Sequence, residues 1–115
     1  MAATYDFEIE QGADLDKTFT WKDSAGAPVS LVGYTARMQV RKNISAPEVL
    51  LSLTTENSRI SIDGAAGQVI LHVDAATTSA ITWTSGVYDI ELISGAGKVF
   101  RLVRGTVTVS KEVTR

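Results

Sequence analysis

The residues best suited to chemistry in this 115-residue sequence are arginines, carboxylates and one histidine. The stretch "YTARMQVR" at 34–41 sets Arg37 and Arg41 four residues apart. Tyr34, Ala36, Met38 and Val40 are apolar at every second position, and a period of two means a strand with one buried face. Thr35, Arg37, Gln39 and Arg41 then face water. In "VYDIELI" at 87–93, Tyr88, Ile90 and Leu92 take the buried face and leave Asp89 and Glu91 outside. Two outer rows of opposite sign suit cross-strand ion pairs worth about 0.2 to 1 kcal/mol each. The bland reading is a solvated sheet face, and the sharper one gives Arg37 and Arg41 a part in partner binding.

His72 alternates against Val69, Leu71 and Val73 and is expected on the outer face of its strand. A zinc site there would need three carboxylates, because the chain has no cysteine and no second histidine. The pairs Asp14 with Asp16 and Asp6 with Glu8 lack the converging oxygen donors and glycine turn of a calcium loop. A hydrolytic triad needs a nucleophile, a base and an orienting acid, and no G-x-S-x-G pattern accompanies His72. We therefore expect no catalytic, metal or cofactor site. Trp21 alternates with Phe19 and reads as core. Trp83, in "ITWTSG", is the aromatic open to two readings: a stacking platform for sugars, or a plug for the open end of a sandwich.

The length suits one domain, assigned to 1–110 with a C-terminal tail at 111–115. Without cysteine, neither disulfides nor thiolate–zinc clusters can staple it. A net charge of −2 with interspersed signs gives no basic footprint for nucleic acid. The opening "MAATYDFEIEQG" lacks the basic end and apolar run of a secretory signal, and the longest apolar runs fall far short of a membrane span. A soluble chain with neither nucleic-acid nor membrane partners is expected.

Strand patterns recur at Phe7–Ile9, Leu15–Trp21, Tyr34–Val40, Glu48–Leu53, Arg59–Ile62, Gln68–Val73, Val87–Ile93 and Lys98–Ser110. Turn chemistry joins them in "DSAGAP", "DGAAG" and "SGAG", where glycine and proline set the backbone angles. "DAATTSAI" at 74–81 departs from the alternation: Asp74 is placed as an N-cap, and the spacing predicts a short helix crossing between sheets. The fold class expected is all-β, an antiparallel two-layer β-sandwich of Ig-like character. In the last strand Phe100 and Leu102 occupy even positions while Val107 and Val109 occupy odd ones. This parity change predicts a β-bulge at Gly105 in one long bent strand.

Taken in order, "FEIEQGADLDKTFTWKDSAGAPVSLVGYTARMQVRK", "LTTENSRISIDGAAGQVILHVDAATTSAI", "GVYDIELIS" and "GTVTVSKEVTR" resemble a family of short structural proteins of tailed bacteriophages and prophages. The extended first strand, the W-x-D-x-x-G-x-P turn and the "L-x-G-Y" entry, mainly over residues 5–41, are also similar to the N-terminal domain of phage baseplate upper proteins. The resemblance implies a non-enzymatic sandwich module of the virion at the tail tip, baseplate or fibre attachment. It implies assembly in the host cytoplasm, contacts with other virion proteins in several symmetric copies, and no cofactor. A carbohydrate-binding module for host recognition and a head-decoration protein are the alternatives.

In the tail, Val113 stands alone among Lys111, Glu112, Thr114 and Arg115. One valine cannot offset the ordering of five residues at about 1 to 2 kcal/mol each. The tail is therefore expected to stand off the core and to join subunits. Arg37, Arg41, Glu112, Val113, Thr114 and Arg115 are the expected subunit contacts.

Overall fold

The computed structural model describes residues 3–113. Nine strands and one short helix follow in chain order: β1 (Ala3–Thr4), β2 (Phe7–Glu10), β3 (Leu15–Thr20), β4 (Thr35–Arg41), β5 (Leu51–Thr54), β6 (Ile60–Asp63), β7 (Gln68–Val73), α1 (Ala75–Ser79), β8 (Ser85–Ile93) and β9 (Val99–Ser110). They form two sheets. The larger has six strands in the order β1-β9-β8-β4-β5, with β2 also on β9; the smaller has three, β3-β7-β6. The chain is thus mostly β, as the alternation requires.

The larger sheet is mixed, which corrects the expectation of antiparallel strands throughout. β1 and β2 run parallel to β9, from Ala3 beside Val103 to Glu10 beside Ser110. Period two reveals which side chains share a face, and it carries no information on the direction of the neighbouring strand. All other pairs of named strands are antiparallel.

The inward rows of both sheets meet in one core. Ile9, Met38, Val40, Leu53, Ile90, Leu92 and Val107 come from the larger sheet, and Ile60, Val69, Leu71 and Val73 from the smaller. Each fully buried side chain of this size contributes about 1.5 to 3 kcal/mol relative to an exposed one. Trp21 and Trp83 are both half-buried against the core, Trp21 with its ring 5.5 Å from that of Phe100.

The helix carries the chain from β7 in the smaller sheet to β8 in the larger. Asp74 caps it by accepting a hydrogen bond from the Thr77 N–H at 2.9 Å. Thr78, fully buried, ties the helix to the turn after β2: its hydroxyl donates to Ala13 O at 2.9 Å and accepts from the Gly12 N–H at 3.0 Å.

The start of β5 and the position of the bulge in β9 each lie three residues from the sequence expectation. The strand expected from Glu48 begins at Leu51, after Pro47 and the exposed Glu48 and Val49, with the first pairing bond running from Leu50 N–H to Val40 O. Proline supplies no donor to a ladder. The bulge in β9 also moves. Ile90 pairs with Val103 and Glu91 with Arg101, so Leu102 is the extra residue. Gly105 pairs regularly with Tyr88 and has no positive φ.

Candidate functional site: the outer face of the larger sheet

The outward rows of β4, β8 and β9 form a ladder of charge. Arg37 lies beside Glu91, which lies beside Arg101; Gln39 lies beside Asp89, which lies beside Arg104; Arg41 lies beside Val87, which lies beside Thr106. These residues line a concave surface of about 750 Å³ together with Thr4, Asp6 and Ile44. Four arginines, Arg37, Arg41, Arg101 and Arg104, stand against three carboxylates, Asp6, Asp89 and Glu91.

The displaced bulge builds this face. With Leu102 as the extra residue, Arg101 and Arg104 both point outward although three positions separate them. In a regular strand an odd separation would send one of them into the core. A bulge at Gly105 would leave Arg104 inside, and the bulge at Leu102 turns it out. The signal was present in "RLVR": two adjacent apolar residues between two arginines.

The expected ion pairing is present and partial. Arg37 Nε donates to Glu91 Oε1 at 2.8 Å, and Arg101 Nε approaches Asp89 Oδ2 at 3.5 Å. Arg41 donates to Ala46 O at 2.8 Å and to Gln39 Oε1 at 2.9 Å, which fixes its guanidinium over the β4–β5 connection. Among the described residues the Arg104 guanidinium has no hydrogen-bond or ion-pair partner, although Asp89 is its register neighbour. Ile44, at the rim, is 88% exposed. An arginine surplus beside an uncovered apolar side chain is chemistry that suits a protein surface bearing carboxylates.

The remaining expected site residues lie elsewhere. Glu112 lies against the turn after β2, where its N–H donates to Gln11 Oε1 at 3.0 Å and its carboxylate rests against Gly12. The tail is thus held as far as Glu112, while Val113 is exposed and Thr114 and Arg115 lie outside the described residues. The structure does not bring Glu112 to Arg37 and Arg41.

His72 is exposed on the outer face of the smaller sheet, with Nδ1 2.6 Å from Asp16 Oδ1 on the neighbouring strand. The hydrogen bond to Asp16, and then its charge, raise the His72 pKa above its ordinary value. Asp14 accepts from the Ala75 N–H at 2.7 Å, and Asp6 from the Thr106 N–H at 2.9 Å. These acids are engaged with backbone donors or with His72. Among the described residues no group of three or more His, Asp or Glu side chains is placed to hold a metal ion.

No protein-family model matches this chain, and no curated protein matches it.

Proposed function

We propose that this chain is a non-enzymatic structural component of a tailed-phage virion, an adaptor of the tail tip, baseplate or fibre attachment. It acts by binding neighbouring virion proteins, in several symmetric copies, after assembly in the host cytoplasm. The observation that carries the reading is the arginine-rich concave face, where the free Arg104 and the exposed Ile44 flank partly neutralised ion pairs. The resemblance of the sequence to phage structural proteins supplies the setting.

We read the fold as an Ig-like sandwich. Lettered in chain order from β3 as B, C, C′, D, E, F and G, the two sheets run B-E-D and G-F-C-C′. That is the order of the immunoglobulin sheets, with α1 at the E–F crossing. Half-burial of Trp83 against the core favours the adaptor over the sugar-binding reading, whose platform it would have to supply.

The test is an image reconstruction of the intact particle, paired with a glycan array on the isolated chain. A sandwich-sized density at the tail, repeated by the particle symmetry and seated through the face bearing Arg104, is the expected result. Absence of the protein from purified particles, or glycan binding that depends on Trp83, would overturn it.

A further inference from the structure

We propose that the open edge of β6 is a docking strand for a second copy of this chain, added antiparallel with Ser61 on the two-fold axis. The inference stands whether or not the arginine-rich face binds another protein.

The edge is open by its own hydrogen-bond parity. His72 N–H donates to Arg59 O at 2.8 Å, which turns the backbone groups of Arg59, Ser61 and Asp63 toward β7. Those of Ile60 and Ile62 therefore turn outward, since parity alternates along a strand. Unpaired outward groups are a template for another strand.

The sequence along this edge is complementary to itself. Run antiparallel with Ser61 opposite Ser61, "RISID" at 59–63 places Ile60 against the second copy's Ile62, and Arg59 against its Asp63. Ile60 and Ile62 are the two residues whose N–H and C=O point outward, so this register forms two complete hydrogen-bonded pairs. Arg59 and Asp63 then form a cross-strand ion pair at each end. Ile60 and Ile62 keep facing the core side, and Ser61 stays on the exposed side, so no side chain changes face. A two-fold contact requires this kind of self-complementary patch. The result is a continuous sheet β3-β7-β6 joined to its symmetry copy, the edge-addition mode of recognition.

Other edges are unsuited to a second copy. On β5, Ser52 O accepts from Asn57 Nδ2 and Arg59 Nη1, each at 3.1 Å, and Thr54 N–H donates to Asn57 Oδ1 at 2.9 Å. On β3, Lys17 sits on the inward row with its ammonium 4.7 Å from the Tyr5 ring centre, an inward charge that guards an edge strand. On β2, Glu8 and Glu10 would meet like charges. Arg59 itself reaches to the β5 edge, the side of the molecule where β6 also ends its sheet. One donor goes to Ser52 O, and the guanidinium has others for the second copy's Asp63.

The chain has no cysteine, so Ser61→Cys creates its sole thiol. At the centre of this register the two copies form a non-hydrogen-bonded pair with Cα atoms about 4.5 Å apart, within the range a disulfide spans. Air oxidation of S61C should give the covalent dimer about tenfold faster than the control Thr18→Cys on the exposed face of β3, through its higher effective concentration. Adding Asp63→Arg should bring S61C down to the control rate, and adding Arg59→Asp to that variant should restore it. Variants are compared only where melting curves match. As a measurement that needs no variant, the Ile60 and Ile62 amide resonances of the unmodified chain should shift with protein concentration while those of Glu8 and Thr18 stay fixed. Equal rates for S61C and T18C, failure of the charge swap to restore the rate, or concentration-independent Ile60 and Ile62 amides would overturn the proposal.

Discussion

The Tyr88 hydroxyl donates to the carbonyl oxygen of Tyr5 at 2.5 Å, and this one bond reroutes the parallel pairing of the first strand with the last. Tyr5 N–H keeps its ladder partner, Arg104 O, at 2.9 Å. Its carbonyl instead turns inward to Tyr88, and the Asp6 carboxylate takes over the Thr106 N–H at 2.9 Å. The gap between β1 and β2 is thus a satisfied detour in a single extended run. Tyr88 is buried, and that burial raises its pKa well above the ordinary phenol value.

Replacing Tyr88 with phenylalanine should cost about 0.5 to 1.5 kcal/mol, because the Tyr5 carbonyl would lose its donor in a part-buried place. Chemical denaturation checks this, and an unchanged midpoint would show that water reaches the carbonyl instead.

Gly105→Val should destabilise the domain by about 1 to 3 kcal/mol through overpacking. The cause is the close approach of the Tyr5 backbone: a Cβ at Gly105 would overlap Tyr5 O and lie 2.7 Å from Tyr5 C. Gly105→Ala should share most of the effect, since the first carbon already collides. A well-tolerated alanine would count against this account.

Thr78→Val keeps the shape of a fully buried side chain while leaving Gly12 N–H and Ala13 O unpaired. A loss of about 1 to 3 kcal/mol is expected. Amide exchange at Gly12 should accelerate in the same variant, and exchange at the wild-type rate would show that another acceptor replaces the hydroxyl.

The His72 pair with Asp16 predicts a pH dependence whose sign follows from linkage. The folded pKa is raised above 6.5, first by the hydrogen bond to Asp16 and then by its charge. The contribution is therefore fully present below about pH 6.5, the unfolded value, and is lost as pH rises through the folded pKa. Asp16→Asn should lower the His72 titration midpoint seen by nuclear magnetic resonance and flatten the stability profile over that window. A midpoint unmoved by the substitution would rule the pairing out in solution.

Charge reversal at Arg104 tests the concave face. Arg104 is exposed and its guanidinium has no partner among the described residues, so Arg104→Glu should change stability by no more than about 0.5 kcal/mol. On the proposed adaptor reading, incorporation into particles should fall, and the deficit relative to the unmodified chain should shrink with rising salt, because salt screens both the attraction that Arg104 supplies and the repulsion that Glu introduces. Normal incorporation of a folded R104E protein would remove this face from consideration.

Alternation in the sequence was enough to place the buried rows of β2, β4, β7 and β8, the outward direction of Arg37, Arg41 and His72, and the Asp74 cap of the crossing helix. Each of these follows from local periodicity or from a cap that acts within one helical turn, so the information lies within a few residues. Three features depended on the tertiary structure. The parallel course of β1 and β2 joins residues about a hundred positions apart, and period two is blind to strand direction. The bulge falls at Leu102 because the register of β9 is set by β8 and by the crossing Tyr5 backbone, and only that register turns Arg101 and Arg104 to one face. The detour at Tyr5 needs the Tyr88 hydroxyl from a strand far away in the chain. Strand faces are a local property, whereas register and direction are fixed by whichever neighbour the packed core brings alongside.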